Sequence, residues 1–339
     1  MPWPRPVRWR GRSCGRWSWA SPSGVVQALV RREHVTRLLA GDSLRALAAA
    51  TGLGAASSSC SYAAVALARA LFRRGASFAS AMAFEIASTN LVIELGLILA
   101  LLMGWQFTLA EFIGGPIMIV LVALFFRLWM RGKLVDAARA QAEKGVAGSM
   151  EGRAAMDMSV QGEGGFWARL FSIKGLDAVA AYCVMDWAAV WRDVAGGLLI
   201  AGAIDAWVPK EWLQAFFFEG NDILAALWGP IVGPVVSLLS FVCSVGNVPL
   251  AAVLWNRGIS FGGVASFIFA DLIVLPIIFI YGKYYGTKAA LRITGTFSLA
   301  MVLAGYAVEL LFAVTGLTPG AGMLKMMGGS PSQHAAGED

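Results

Sequence analysis

The sequence predicts an all-α integral membrane protein made of two parallel four-helix repeats, the first span of which is cut short. Three observations predict it. Composition is one: of 339 residues, 58% are hydrophobic and only 14% charged, with a mean hydropathy of +0.67, whereas a soluble domain is about a quarter charged. A second is the recurrence of apolar runs of about 20 residues, the length at which a helix crosses the hydrocarbon core. The third is a phrase written twice. SSSCSYAAVALARALFRRGASFAS at 57–80 returns as SFVCSVGNVPLAAVLWNRGISFGG at 240–263.

Residues 1–24 are rich in Arg, Trp, Pro and Gly and have neither the apolar region nor the cleavage site of a signal peptide. They read as a basic arm, either disordered or a non-native start standing in place of a first span; the repeat favours the second. The first repeat covers 25–130, with spans at 43–72, broken by SSSCSY, at 76–103 and at 106–130. A loop over 131–174 follows. The second repeat covers 175–314: a Trp-rich interfacial segment at 176–187, then spans at 188–208, 223–254, 259–281 and 289–314. The remaining 315–339 form a flexible tail.

Sliding the chain by 183 positions pairs Cys60-Ser61 with Cys243-Ser244, Arg74-Gly75 with Arg257-Gly258 and Ser77-Phe78 with Ser260-Phe261, and 12 of the 28 positions from 60 to 87 are identical. Such duplications are common in secondary transporters, whose substrate site lies where the halves meet. Four spans separate equivalent points of the two copies, and an even number makes the repeats parallel. Lys and Arg number nine before residue 46 and seven over 131–174. With the Arg73-Arg74 and Arg257 turns and the tail, these segments are expected on the cytoplasmic side of the inner membrane. The net charge of +6 is accounted for in this way, so nucleic acid is discarded as a partner; the partners are the lipid bilayer and a small solute or ion, with homo-oligomerisation left open.

The blocks CSYAAVALARALFRRGASFASAMAFEIASTN and SFVCSVGNVPLAAVLWNRGISFGGVASFIFAD resemble the paired Cys-Ser blocks of a predicted-permease family that includes organoarsenical efflux permeases. The resemblance runs from about residue 25 to residue 314 and is most specific in the two blocks. It implies an eight-span secondary permease of two four-helix repeats and does not fix a substrate. The chain departs from that pattern in its first span, and the first block has Ala66 where the second has Pro249.

Gly, Ser, Pro and Asn inside an apolar segment are tolerated where the freed backbone groups are buried in protein or line a cavity. The Cys-Ser blocks therefore predict discontinuous helices and a binding site made of Cys60, Ser61, Cys243, Ser244 and Asn247, with Asn90 nearby. Two facing thiols suit a soft metalloid or metal species, and packing as small hydrophobes is the alternative. Carboxylates at membrane depth mark ion paths: Asp271, in FIFADLIVLP, is expected to couple protons, with Glu85 and Glu94 in the repeat-equivalent helix. Under the offset of 183, Asp271 matches Ser88.

An enzyme is disfavoured. No GxxxxGK[ST] loop is present, and the two histidines, His34 and His334, stand outside the apolar core, so neither a zinc site nor a His-assisted nucleophile can be assembled there. No cofactor is called for, and any metal ligand set is unknown. The expected function is a secondary permease, exporting a soft metalloid or metal species. A membrane thiol oxidoreductase using Cys60 and Cys243, or a nontransporting assembly subunit, stands as the alternative.

Overall fold

A computed structural model describes residues 43–130, 132–144, 210–218, 220–240 and 244–319, with isolated positions at 39, 41 and between 195 and 207. Expectations for the N-terminal arm, most of the 131–174 loop, the segment at 176–187, most of that at 188–208, Cys243 and the tail beyond 319 fall outside them. The described residues form helices and turns, with no strand among them. Four helical stretches are long and apolar enough to cross a membrane: Phe78–Leu102, Trp105–Trp129, Ile223–Ser240 and Thr287–Thr315. The pair Phe261–Leu272 and Leu275–Tyr285, bent by 43°, makes a fifth if it is one span.

The first copy begins with α1 (Leu44–Ser57), started by the Ser43 hydroxyl, which accepts from the Ala46 amide. It stops at Ser58, whose φ of 30° leaves the helical region, and Cys60 opens α2 (Ser61–Arg73) from an extended backbone. Next come α3 (Phe78–Asn90), α4 (Ile93–Leu102), α5 (Trp105–Trp129) and α6 (Lys133–Glu143). Contacts with α3 give the direction of each. At its start, the Ser77 amide donates to Leu39 O (2.8 Å) and the Ser80 hydroxyl to Gly41 O (3.2 Å); at its end, the Ser59 amide donates to Ser88 O (2.9 Å). Thus α1 runs beside α3 in the same sense and α2 comes back. The two form a re-entrant hairpin, its tip at residues 58–60.

The second copy repeats this. After α7 (Lys210–Phe216) come α8 (Asp222–Ser240), α9 (Ser244–Asn256), α10 (Phe261–Phe269), a 3-10 turn at Ala270–Leu272, α11 (Leu275–Tyr285) and α12 (Thr287–Thr315). Gly229 packs against Ser260 and Gly233 against Ser266, while the Ser237 hydroxyl donates to Ala270 O at 3.1 Å. So α8 runs with α10 and α9 returns. Helix starts and stops recur at the same offset of 183: α1 and α8 end, and α2, α3, α9 and α10 begin, at matching positions. Gly75 (φ 109°) and Gly258 (φ 93°) make the same turn, in a region glycine enters without steric cost. Ser77 and Ser260 then cap α3 and α10 alike.

The copies are inverted, and α5 shows it. This helix of 25 residues is about 37 Å long, so its two ends lie at opposite faces of the bundle. Near its C-terminus the Phe126 ring meets Phe78 at 5.1 Å, and Phe78 meets Tyr285 at 5.6 Å. Near its N-terminus the Phe107 ring meets Phe261 at 4.9 Å, and Phe261 meets Phe312 at 4.8 Å. Phe78 and Phe261 are repeat equivalents, so α3 and α10 start from opposite ends. We call the first the basic end, since Arg73, Arg74, Arg127, Arg139 and Arg292 gather there, and the second the far end.

The parallel four-plus-four scheme is corrected on three points. The spans expected at 43–72 and 223–254 are hairpins, because the chain turns back at each Ser-rich break. The Arg257 turn lies at the far end, opposite Arg73-Arg74. The C-terminus of α12 also reaches the far end, whereas α6 lies at the basic end, where the Arg139 guanidinium donates to Phe72 O (2.6 Å) and Ala76 O (3.1 Å). Around this polar framework the outer faces are apolar: Leu97, Leu101, Val120, Leu124 and Leu310 are exposed, as lipid-facing positions are.

Candidate functional site

Residues at the inner ends of both hairpins, Ser61 in the first and Ser237 and Ser244 in the second, meet at one place, the break between α10 and α11. Pro276, which has no N–H, occupies the first turn of α11, where none is needed; the chain before it unwinds into the 3-10 turn that carries Asp271. The side chain is fully buried. Ser61, the first residue of α2 in hairpin one, donates its hydroxyl to Asp271 Oδ2 at 2.8 Å. The Thr89 hydroxyl on α3 and the Ser244 hydroxyl at the start of α9 are the next neighbours. Asp271 Oδ1 has no hydrogen-bond partner among the described residues.

Other buried polar groups surround it. The Tyr281 hydroxyl on α11 donates to Glu85 Oε1 on α3, and Glu85 Oε2 has no partner among the described residues. Glu111 on α5 is 1% exposed, with Oε1 equally unpartnered. Both Glu85 and Glu111 lie within electrostatic reach of Asp271. Asn90, at the end of α3 where that helix also breaks, is fully buried, and neither amide atom has a hydrogen-bond partner among the described residues. Asn247 on α9 accepts from the Ser240 hydroxyl (3.2 Å) and donates to the Ser237 hydroxyl (3.5 Å), fastening the second hairpin's two arms to each other near their tip.

Ser61, Ser244, Asp271 and Glu85 are thus brought together, with Asn90 and Asn247 buried in the same layer of the bundle. Cys60 is exposed at the tip of hairpin one and is not in a disulfide; Cys243 lies outside the described residues. Glu94 is half-buried in the first turn of α4 and makes no hydrogen bond to this cluster. Sequence reasoning missed Glu111 and Tyr281. The signal for Glu111 was present, a carboxylate inside the apolar span at 106–130, whereas a tyrosine in a membrane helix gives none. Among the described residues no group of three or more His, Cys, Asp or Glu side chains could hold a metal ion.

The model of a family described as predicted permease matches residues 22–310. The chain belongs to that family. It is 64% identical over 291 residues to "Putative permease Rv2963" of Mycobacterium tuberculosis, covering 86% of this chain and 72% of the relative. A more distant likeness, 22% over 129 residues, joins 38% of the chain to 36% of the UPF0718 protein YraQ of Escherichia coli. No solved structure matches. Membership makes this protein a multi-pass membrane permease, a transporter rather than an enzyme. The twin breaks of its helices are compatible with a membrane setting, since irregular backbone at membrane depth is tolerated where protein buries it or a cavity adjoins it.

Proposed function

We propose that this permease is a secondary transporter that carries a small solute between the two hairpin tips, and that the solute is a soft metalloid or metal species moved outward. The observation that carries the reading is the Ser61–Asp271 hydrogen bond: it ties the tip of one inverted copy to the broken helix of the other. In transporters of this design the site lies at such a junction, and one copy moves against the other around it. Cys60 and Cys243 are the proposed soft ligands, Ser61, Ser244, Asn247 and Asn90 the polar lining, and Asp271 and Glu85 the ion-coupling carboxylates, with Glu94 at the margin. The arginines gathered at the basic end support a cytoplasmic orientation of that end by the positive-inside rule, in a protein of the inner membrane.

The test uses purified protein in liposomes, with trivalent methylarsenite as the probe. Cys60→Ser and Cys243→Ser are each expected to slow flux at least tenfold, about 1.4 kcal/mol, without lowering the folded amount. Normal flux in the double serine variant would remove the thiol ligands, and no probe flux in the unaltered protein would remove the soft solute.

A further inference from the structure

Three buried carboxyls and two buried phenols stand at successive depths across the bundle. Glu111 lies one to two turns from the start of α5, on the far-end side. Asp271 sits at the helix break in the middle. Glu85 is two turns inside α3 from the basic end, and it accepts from Tyr281, which is one turn before Tyr285 on α11. The Tyr285 ring touches Phe72 and Phe78 at the basic end. Its hydroxyl is buried, has no hydrogen-bond partner among the described residues, and lies within electrostatic reach of Glu85.

We infer that Glu111, Asp271, Glu85, Tyr281 and Tyr285 form a string of proton-carrying groups from the far-end side to the basic end, and that the ion coupled to transport is a proton. The inference rests on the permease reading above and adds to it the coupling ion and its route. Two physical arguments support it. Charge balance is the first. Among the described residues no basic side chain is paired with Glu111, Asp271 or Glu85, and ionised carboxylates in hydrocarbon without a counter-ion are costly, which favours neutralisation by protons or by a bound cation. Geometry is the second. A divalent metal ion is held by several acidic groups gathered around one point, whereas among the described residues no three such side chains could share an ion, and Glu111, Asp271 and Glu85 stand on α5, the 3-10 turn and α3, each with one oxygen unpartnered among those residues.

The remaining elements packed around the string contribute hydroxyls: Ser61 from α2, Thr89 from α3, Ser244 from α9 and Ser237 from α8. The acid on α12, Glu309, is held at the far end by the Gly262 amide, and Arg69 reaches the string at Tyr285, its outermost member. A transfer breaks the O–H bond of one carboxyl or phenol and forms the O–H bond of the next; no electrons change hands. Tyr281 gives its proton to an ionised Glu85 and takes another from the Tyr285 side.

Infrared spectroscopy of the protein in liposomes reads this without any solute. Between about pH 5 and about pH 9, bands of protonated carboxyl groups are expected, fading as pH rises and indifferent to Na⁺ replacing choline. Glu111→Gln, Asp271→Asn and Glu85→Gln should each remove one band. Tyr281→Phe should shift the Glu85 band to higher frequency, since its carboxyl loses a hydrogen bond. Absence of such bands throughout the range would overturn the inference, as would their loss on adding Na⁺ at constant pH. The titration of the unaltered protein decides this even if a variant fails to fold. Methylarsenite exchange that continues without response to a pH gradient would remove proton coupling and leave the permease reading standing.

Discussion

In the first copy α3 reaches the middle of the bundle with Ser88, which turns its hydroxyl back onto the Glu85 carbonyl at 2.8 Å; in the second, α10 reaches the matching place with Asp271, which takes the hydroxyl of Ser61. The same inequality recurs at the offset of 183. Glu85 faces Ile268 in the alignment of the copies, Asn90 faces Ile273, Glu111 faces Thr294, and Tyr281 faces Ile98. Yet the caps and turns coincide, and the returning arms α2 and α9 are 13 residues each. Small residues and caps therefore fix a scaffold common to both copies, while each ionisable group of the site was placed in one copy alone. A symmetric frame with unsymmetric chemistry can present different groups to its two ends.

The largest expected effect comes from erasing that inequality at its centre. Asp271→Ser makes the two breaks alike, and pH-gradient-driven flux in liposomes should fall about a hundredfold, roughly 2.7 kcal/mol of lost stabilisation. Adding Ser88→Asp to that variant asks whether the carboxyl works from the other copy; although the alignment makes the positions equivalent, the geometry predicts no recovery, because the Ser88 hydroxyl faces its own helix. Next in size is the close approach that holds each hairpin to its neighbour. A Cβ at Gly54 would lie 2.5 Å from the Phe84 carbonyl oxygen and 2.9 Å from Ala87 Cβ, so Gly54→Ala should destabilise the protein by about 1 to 3 kcal/mol. Gly295→Ala, with nothing within 4 Å, serves as the neutral control in the same thermal melts.

The basic end supplies a third prediction. Arg139 bonds to Phe72 O and Ala76 O and stacks 4.2 Å over the Phe72 ring. Arg139→Ala should weaken the docking of α6 by about 1 to 3 kcal/mol and expose it to protease from that end. Unchanged cleavage would mean that α6 is held by other contacts, such as those of Arg69 with Ala142 O. At the far end the corresponding fastening is slighter. Glu309 accepts from the Gly262 amide at the start of α10, and Glu309→Gln should cost about 0.5 to 1 kcal/mol in the melt.

Membrane class, helix breaks and the duplicated phrase were legible because each leaves a mark in composition or in order. Ser61, Ser244 and Asp271 were legible too, since polar residues in an apolar run stand out. The direction of the chain was not. A hairpin of 14 and 13 residues contains as many apolar positions as one broken span, and hydropathy records length without recording reversal. Counting 223–254 as a crossing made the number between the copies even; a hairpin that returns to its own face makes it odd, and an odd number inverts the repeat. Glu85 and Tyr281 are 196 positions apart, and no spacing rule connects them.

Those separations bear on how the chain is made. Ser61 precedes Asp271 by 210 positions, so at about 5 to 20 residues per second the first hairpin waits on the order of 10 to 40 s for the carboxylate that receives its hydroxyl. Throughout that interval the tip of an already synthesised segment has no finished seat. Biogenesis of the first copy is thus completed by emergence of the second, and a ribosome halted after α5 should leave a hairpin that proteases reach and that the full chain protects.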